Sequence, residues 1–505
     1  MSDIKQIPEA PESNAGDDFH VLWTIKKLFG LLNFEENGLK AITVEGIKEG
    51  KKLDPSGSKL LGVDIAEYFG GENFKEANNV IVSQLKYSTR RIDENWTFYK
   101  IYTGKKGNPE GSIIHRLAQI FKIFLDQYGH PSVLEKLSLK LVSNRNFNGS
   151  QVQYTSEIQD YLSTKNKSTR FDTLYRNFPA QQDALKKLYE ATKLKSTEFT
   201  DFLRLLDFND CGTESSNFQE IQIIKAIDEV GISESYQKDS LFGMVWKKML
   251  PDEVQRGNNR ITDIDLLHVF KMSKETLFPV HQRFEKIERF VERIQLVDII
   301  HKIINNDSGK PICLHGGAGI GKSSIVQLLE KNIPNNSEVI LFDCYGAGAY
   351  LNSSDNRQLH KEAILHICNE MAKKIGSPFL LSKENDPYIF VREFRSKVEQ
   401  AVKILKKRHK GSLLVLIIDA ADNSIIAAQK NKTDCFVHDL LNESFTSGFR
   451  LIVTSRSHRR DSLKLPDNYI DIPIKAFDFD ETKKHRNRSQ SINNGYIIFP
   501  IIKTV

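Results

Sequence analysis

Residues Pro311–Ser324 read PICLHGGAGIGKSS, and this stretch decides the fold of the C-terminal half of the chain. Its apolar start, Pro311–Leu314, predicts a buried strand, and the following SSIVQLLEKN predicts a helix. Between them lies G-x-x-x-x-G-K-S, from Gly316 to Ser323, whose glycines let backbone amides curl around phosphate oxygens at a helix N-terminus. The alternative is a glycine-rich turn without a ligand. Because strand, motif and helix occur in the required order, the stretch predicts a phosphate-binding loop, or P-loop.

The residue types in this loop indicate that it binds ATP together with magnesium. Lys322 should bridge the β- and γ-phosphates, and the Ser323 hydroxyl should ligate Mg²⁺. The residues expected to contact the nucleotide are Gly316, Gly317, Gly319, Gly321, Lys322, Ser323 and Ser324.

Two further apolar strands end in charged residues that belong beside such a loop. LLVLIIDAADNS ends its apolar run at Asp419, whose carboxylate should hold Mg²⁺ through water. Asp422 lies three residues further on and could orient or deprotonate the attacking water, or it could be a helix N-cap. RLIVTSR ends in Arg456, which could sense the γ-phosphate together with Thr454 and Ser455, or could be a surface arginine.

The order of motifs in this half of the chain resembles a known family. PICLHG, EVILFDCYG, LLVLIIDAAD and RLIVTSR alternate with helical segments, which predicts a mostly parallel sheet with ligands at the carboxyl ends of its strands. The succession of P-loop, LFDCYGAGAY, IIDAADNS and IVTSR resembles the STAND NTPases (signal-transduction ATPases with numerous domains), in particular bacterial ones linked to antiviral defence. The resemblance implies a switch in which a C-terminal sensor recognises a trigger, the NTPase module oligomerises, and an N-terminal effector is activated.

The N-terminal part of the chain has the pattern of one compact α/β domain. A helical pattern from Asp18 to about Asn33 precedes the strand-like segments AITVEGI, GVDIAEYFG and NNVIVSQLKY. A second amphipathic helix, EGSIIHRLAQIFKIFLDQYG, and a further strand, LSLKLVSNR, complete the domain. In NNVIVSQLKY the side chains of Gln84 and Lys86 project from one face, because side chains alternate along a strand.

The order of Glu45, Asp64, Gln84 and Lys86 resembles the PD-(D/E)xK nuclease superfamily, in particular the domain at the N-terminus of antiphage double-stranded DNA endonucleases. The resemblance implies a restriction-endonuclease-like fold in which Asp64, Gln84 and Glu45 hold Mg²⁺ and Lys86 orients or activates water. Gln84 replaces the acid of the parent motif, which removes one negative charge from the metal site. Glu45 could instead be a solvated residue at a helix end, and Glu67 is a rival ligand.

Three nearby basic residues have two interpretations each. His20, on the first helix, could approach the metal site or be a helix-surface histidine. Arg90 and Arg91, which follow the strand in STRR, could contact DNA phosphates or form an exposed basic turn.

Bulk properties limit the setting in which the protein acts. At 505 residues, 40% hydrophobic and 27% charged, the composition is that of a globular protein. No apolar run approaches the roughly 18 residues that span a bilayer, so we expect no membrane partner. The five cysteines lack paired spacing, which favours a reducing, cytoplasmic compartment. The net charge of +6 permits nucleic-acid contact without requiring it.

We therefore expect an α/β protein organised as a series of segments. These are a disordered lead (1–16), a PD-(D/E)xK restriction-endonuclease-like domain (17–150), a helical connector (151–283), a STAND P-loop NTPase domain with a mostly parallel sheet (284–482) and an irregular tail (483–505). The pattern changes abruptly after His485, so we hypothesise a truncated or frameshifted product whose sensor is missing or separately encoded.

The expected activity is cleavage of double-stranded DNA by a homo-oligomer, dependent on Mg²⁺ and controlled by ATP and a phage-derived trigger. The alternative is a signalling ATPase whose N-terminal domain is a noncatalytic nucleic-acid-binding or assembly module. An ATP-driven restriction or repair motor is disfavoured, because no set of helicase motifs follows the P-loop.

Overall fold

The chain folds into two compact units. The computed structural model describes residues 10–46, 63–104, 107–165, 169–232, 236–284, 293–334, 336–479 and 481–483. Within this range the first unit comprises 10–228 and 232–273, and the second comprises 229–231 and 274–483. The part of the expected lead before residue 10 and the expected tail after residue 483 lie outside the described residues. No helix in the described ranges is both long and apolar enough to cross a bilayer.

The first unit is a mixed α/β structure. Its strands are β1 (Leu39–Val44), β2 (Ile65–Phe69), β3 (Asn79–Lys86), β4 (Leu137–Ser143), β5 (Leu206–Asp207) and β6 (Arg260–Thr262). Its helices are α1 (Ala10–Leu28), α2 (Phe98–Tyr102), α3 (Ile113–Tyr128), α4 (His130–Lys136), α5 (Gly149–Ser163), α6 (Phe171–Asn177), α7 (Gln182–Thr192), α8 (Ser196–Arg204), α9 (Ser216–Glu229), α10 (Gln237–Met249), α11 (Pro251–Arg256) and α12 (Asp263–Val269). The expected N-terminal helix therefore begins earlier, at Ala10, inside the segment expected to be a disordered lead.

The six strands of the first unit form one sheet in the order β5-β4-β3-β2-β1-β6. β1, β2 and β3 are antiparallel neighbours, whereas β3 runs parallel to β4. The register pairs Ile65 of β2 with Ser83 of β3, so Asp64, one residue earlier, lies opposite Gln84. This register brings two residues that are distant in sequence to one end of the sheet.

Both faces of β3 are covered, as its run of β-branched residues indicates. Val80 and Val82 lie in a buried cluster with Leu117 and Phe121 of α3. On the opposite face, Tyr87, directly after β3, stacks against Phe19 of α1 with ring centroids 5.0 Å apart. Because α1 packs over this end of the sheet, its side chains can reach residues at the ends of β1, β2 and β3.

The segment expected to be a helical connector, residues 151–283, has a different position in the structure. Its helical character is as expected, but Tyr154 and Ile158 of α5 and Phe199 of α8 pack into the same buried cluster as β3. β5 and β6 add a strand to each edge of the first sheet. Amphipathic helices need an apolar partner, and here that partner is the core of the first unit, which extends to residue 273.

The second unit contains the strands that the C-terminal half of the sequence predicts. Its strands are β7 (Ile312–Gly316), β8 (Glu338–Asp343), β9 (Leu414–Asp419), β10 (Phe449–Arg456) and β11 (Ile470–Pro473). Its helices are α13 (Lys274–Leu277), α14 (Gln295–Ile304), α15 (Lys322–Asn332), α16 (His360–Ile375), α17 (Pro387–Arg408), α18 (Ala421–Asn431) and α19 (Phe436–Asn442).

The five strands of the second unit are all parallel, in the order β11-β7-β10-β9-β8. This confirms the expected parallel sheet. β7, β9 and β10 end at Gly316, Asp419 and Arg456, so these residues meet at one edge. The sequence did not predict β11, which lies in a stretch with few apolar residues.

Candidate functional site

The P-loop of the second unit runs from the end of β7 to the start of α15. Gly319 and Gly321 have φ angles of +73° and +92°, in the left-handed region that side chains with a Cβ rarely adopt. Gly321 is the N-cap of α15, so the amides of the first helical turn, which have no partner within the helix, lie at the end of the loop. This is the arrangement that phosphate binding requires.

Lys322 lies at the mouth of this loop. Its ammonium donates hydrogen bonds to the carbonyl oxygens of Gly316 and Gly317, at 3.2 and 2.8 Å. Burial lowers the pKa of Lys322, although the negative charges of Asp422 and Asp419 counteract this effect. The two carbonyl oxygens thus hold the Lys322 side chain beside the loop.

Asp419 is buried and is held by two hydroxyl groups. Ser323 Oγ donates to Asp419 Oδ2 at 2.8 Å, and Thr454 Oγ1 donates to Oδ1 at 2.5 Å. The same Thr454 oxygen accepts the backbone N–H of Ala420 at 2.7 Å. Burial raises the pKa of Asp419, and both hydroxyl hydrogen bonds oppose this rise. Thr454 thus positions the carboxylate, a contact that we did not predict from the sequence.

Asp422 and Arg456 belong to the same edge of the sheet. Asp422 is the second residue of α18, and Ala420 is the N-cap of that helix. The alternative interpretation of Asp422 as a helix N-cap is therefore wrong. Its carboxylate is buried, lies 3.5 Å from Arg459 Nη1, and has a pKa raised mainly by burial. Arg456 pairs in register with Gly316, which sets it beside the start of the P-loop.

Arg293 stabilises the P-loop through its backbone, and we did not predict this role from the sequence. Its Nη1 donates to the carbonyl of Ile320 at 3.3 Å, and its Nη2 donates to the carbonyl of Lys475. Its Nε lies 3.7 Å from Glu481, and the guanidinium lies 4.5 Å from the ring centroid of Phe477. A single arginine before a helix carries no pattern that would have identified it.

In the first unit, His20, Glu45 and Asp64 form a cluster at one end of the sheet. One ligand atom from each of the three lies within 4.8 Å of the others. His20 Nδ1 is 3.4 Å from Glu45 Oε1, and His20 Nε2 is 3.8 Å from Asp64 Oδ2. Although burial alone would lower it, the pKa of His20 is raised by the Glu45 hydrogen bond and by the charges of Asp64 and Glu45. His20 is therefore part of the site and not a helix-surface residue.

The backbone places the two carboxylates of this cluster on neighbouring strands. Glu45 follows β1 in a left-handed conformation with a φ of 50°, and its N–H donates to the carbonyl of Asp64 at 2.9 Å. Asp64 Oδ2 accepts the backbone N–H of Leu85 at 2.5 Å. Glu45 thus lies at the end of a strand and not at the end of a helix, which was the alternative that the sequence left open.

Gln84 and Lys86 of β3 complete the constellation. Lys86 Nζ lies 3.7 Å from Asp64 Oδ2 and donates to the carbonyl of Leu85 at 2.8 Å. The side chain of Gln84 is fully buried, and neither its Oε1 nor its Nε2 has a hydrogen-bond partner among the described residues. A buried amide without partners costs free energy, so Gln84 is less favourable here than an apolar side chain of similar volume would be.

The remaining candidates lie outside this cluster. Glu67 is buried, and its Oε1 lies 3.7 Å from Lys27 Nζ, so this rival ligand has a different partner. Burial raises the pKa of Glu67. Arg90 and Arg91 lie exposed in the loop after β3, and Arg91 Nε is 3.9 Å from Glu94.

Comparison with known proteins supports the assignment of the second unit. The family model described as Nephrocystin 3, N-terminal, matches residues 296–456, which run from α14 through the P-loop to the end of β10. A search of curated proteins returned no match. The second unit is thus a P-loop NTPase fold by both its topology and this match.

Similar solved structures include a Walker-type ATPase, Cdc6p and one receptor. A Walker-type ATPase of Pyrococcus abyssi is 17% identical over 44% of this chain and 64% of its own, with a TM-score of 0.29. Cdc6p of Pyrobaculum aerophilum is 14% identical over 43% of this chain and 54% of its own, with a TM-score of 0.25. The Cap4 SAVED/CARF-domain containing receptor of Moraxella osloensis is 9% identical over 83% of this chain and 69% of its own, with a TM-score of 0.26. The chain thus spans less than two thirds of the first two of these proteins, and TM-scores of this size carry no argument about its activity.

Proposed function

We propose that the protein is an ATP-binding switch of the STAND type whose N-terminal metal-dependent nuclease domain cleaves double-stranded DNA when it is activated and oligomerises. One observation carries the nuclease part of this proposal. Glu45, Asp64, Gln84 and Lys86, which come from three separate strands or strand ends, meet at one end of the first sheet. Gln84 of this set is fully buried, and its amide has no hydrogen-bond partner among the described residues.

The residues present fit a divalent cation. Asp64 and Glu45 offer carboxylate oxygens, and Gln84 offers an amide oxygen that lacks a partner among the described residues. When bound, Mg²⁺ would lower the pKa of water and stabilise negative charge on the scissile phosphate. The replacement of an acid by Gln84 leaves the site with less negative charge, because only Glu45 and Asp64 would offer carboxylates to the cation.

Lys86 has the position of the group that acts on the attacking water. Its ammonium lies 3.7 Å from Asp64 Oδ2 and is about one third exposed, so it faces both the carboxylate and solvent. The carbonyl of Leu85 holds it at 2.8 Å, which limits the volume it explores. A positive charge at this point orients water and offsets the negative charge that develops on the phosphate. The exposed Arg90 and Arg91 would contact the DNA backbone.

The P-loop of the second unit would bind ATP with Mg²⁺. The loop amides and Lys322 would hold the phosphates, while the Ser323 hydroxyl and Asp419 carboxylate, already 2.8 Å apart, would hold the cation. Asp422 would orient the attacking water, and Arg456 would respond to the γ-phosphate. This part rests on the P-loop fold, and the link to antiphage defence, a phage-derived trigger and homo-oligomerisation rests on the resemblance to STAND proteins.

The proposal is tested with purified full-length protein, supercoiled plasmid, Mg²⁺ or Mn²⁺, and ATP. Wild type should convert the plasmid to linear DNA, and Lys86→Ala should lose this activity by about a hundredfold or more, since it removes a transition-state charge. Lys100→Ala is the matched control, because Lys100 is also about one third exposed and pairs with a carboxylate, that of Glu94. Equal cleavage by wild type and Lys86→Ala would contradict the assignment of Lys86. DNA binding without cleavage by wild type would favour the noncatalytic module.

A further inference from the structure

We infer that the N-terminal site selects a first-row transition-metal dication over Mg²⁺, and that His20 is a direct ligand of that ion together with Glu45 and Asp64. The inference rests on the site of the proposed nuclease, but it does not require that the protein cleave DNA. It concerns the identity of the ion and its ligands. The PD-(D/E)xK resemblance implies only oxygen ligands and Mg²⁺.

The geometry of the three side chains matches one ion. Ligand atoms about 2.1 Å from a common cation lie about 3–4 Å apart, depending on the angle between them. One ligand atom from each of His20, Glu45 and Asp64 lies within 4.8 Å of the other two, and the ring nitrogens of His20 lie 3.4 Å (Nδ1) from Glu45 Oε1 and 3.8 Å (Nε2) from Asp64 Oδ2.

His20 is held in this position by the packing of α1. Phe19 and Val21, its neighbours in sequence, are fully buried, and the His20 side chain is only 17% exposed. Phe19 stacks on Tyr87 just after β3, which fixes α1 over the end of the strand that carries Gln84. An imidazole that is ordered by its helix loses little entropy when it becomes a ligand.

Gln84 is a second, independent indication that a ligand belongs here. It is fully buried, lies opposite Asp64 across the β2–β3 register, and has no hydrogen-bond partner for its amide among the described residues. Its Oε1 would supply a fourth, neutral oxygen ligand. The set then has one nitrogen, two carboxylates and one amide oxygen.

The chemistry of this set favours a transition ion. Mg²⁺ prefers six oxygen ligands and gives up its water reluctantly, whereas imidazole suits the later first-row dications. The site has exchanged one carboxylate for the neutral Gln84 and added a nitrogen ligand, and both changes weaken Mg²⁺ more than Mn²⁺, Fe²⁺ or Co²⁺. The ligands thus predict selectivity that a purely carboxylate site would lack.

The test measures Mn²⁺ and Mg²⁺ binding to the full chain in the absence of nucleotide. Free Mn²⁺ is followed by its paramagnetic resonance signal, and Mg²⁺ by competition. Wild type should bind Mn²⁺ at least about tenfold more tightly than Mg²⁺, and His20→Gln should lose about tenfold or more in Mn²⁺ affinity while Mg²⁺ affinity changes little. The matched control is His130→Gln, because His130 also pairs with a carboxylate, Asp201 Oδ2 at 2.6 Å, but lies outside the cluster.

A direct spectroscopic measurement separates a ligand from an ion-pair partner. Electron spin echo modulation of bound Mn²⁺ should contain a nitrogen coupling in wild type and in His130→Gln, and should lose it in His20→Gln. Wild type alone suffices if the variant does not fold: bound Mn²⁺ without nitrogen coupling overturns the inference. Mn²⁺ affinity of His20→Gln within about twofold of wild type also overturns it.

The outcome is distinguishable from failure of the nuclease proposal. Nitrogen-coupled Mn²⁺ binding that depends on His20, in a protein that does not cut DNA, supports the inference and contradicts the nuclease. Cleavage that depends on Lys86, in a protein whose Mn²⁺ binding does not depend on His20, supports the nuclease proposal and contradicts the inference about His20.

Discussion

The P-loop site and the N-terminal site differ in how their residues are distributed along the chain. The P-loop is one contiguous stretch, so its geometry follows from local backbone conformations at Gly319 and Gly321. The N-terminal site takes His20 from a helix, Glu45 and Asp64 from strand ends, and Lys86 from a third strand. The comparison teaches that a contiguous site can be recognised in the sequence, whereas a dispersed one depends on register and helix packing.

The two sites also differ in how their buried polar groups are satisfied. At the P-loop, Asp419 accepts hydrogen bonds from Ser323 and Thr454. In the N-terminal cluster, the buried amide of Gln84 has no partner among the described residues. The carboxylate of Asp419 is thus satisfied before a ligand binds, whereas the amide of Gln84 is not.

The largest expected effect is loss of nucleotide binding in Lys322→Ala. Removing the ammonium from the phosphate site should cost about 3 kcal/mol, or more than a hundredfold in ATP affinity, because a phosphate charge loses its partner. Titration calorimetry with ATP and Mg²⁺ measures the change. Lys374→Ala, which removes another lysine of the second unit, paired with Glu330, should bind ATP like wild type. If both variants bind equally, the P-loop assignment is wrong.

Acid should destabilise the second unit through His366. Burial, with the nearby positive charges of Arg357, His281 and Lys373, lowers the pKa of His366 to about 4 from 6.5. The unfolded chain therefore takes up this proton at a higher pH than the folded unit. This contribution to stability is present above pH 6.5 and is lost as the pH falls to 4, at a total of about 3 kcal/mol.

His366→Leu should remove this acid sensitivity, since leucine cannot take up a proton. Calorimetry between pH 6.5 and 4 follows both units, whereas tryptophan fluorescence reports the first alone, because Trp23, Trp96 and Trp246 all lie there. The difference between wild type and variant should appear in the calorimetric transition without a fluorescence change. If the stability of the variant depends on pH as much as that of wild type, titratable groups other than His366 cause the acid sensitivity.

Thr454→Val should destabilise the second unit by about 2 kcal/mol. The change keeps the shape of the side chain but removes the hydrogen bonds to Asp419 and from the Ala420 amide, which leaves buried polar groups unsatisfied. Calorimetric unfolding at neutral pH measures the loss. An unchanged unfolding temperature would mean that the hydrogen bonds of Thr454 contribute little to the stability of the second unit.

Gln84→Leu should have the opposite sign and the smallest size. Replacing a buried amide without partners by an apolar side chain of similar volume should stabilise the first unit by about 1 kcal/mol in the presence of a chelator. Urea unfolding followed by tryptophan fluorescence measures it. The same variant should lose metal affinity, so stability and binding would change in opposite directions. A loss of stability would show that the amide is satisfied and would remove the contrast between the two sites.

Much of the second unit could be predicted from the sequence. β7 to β10 are runs of apolar residues broken by helical segments, and a parallel sheet is the arrangement that buries them on both faces. β11 and the support of the P-loop by Arg293 were missed, because both depend on contacts with residues that are far away in sequence.

The sequence by itself determined β1 to β4, β7 to β10, the P-loop and the candidate residues Asp64, Gln84 and Lys86, because side-chain alternation and local motifs depend on neighbouring residues. Only the tertiary structure decided that helices beyond residue 150 complete the first core, that Glu67 pairs with Lys27, and that His20 meets Glu45 and Asp64. These outcomes depend on which surfaces pack together. A helix must bury its apolar face, but its own sequence does not specify the sheet against which it packs.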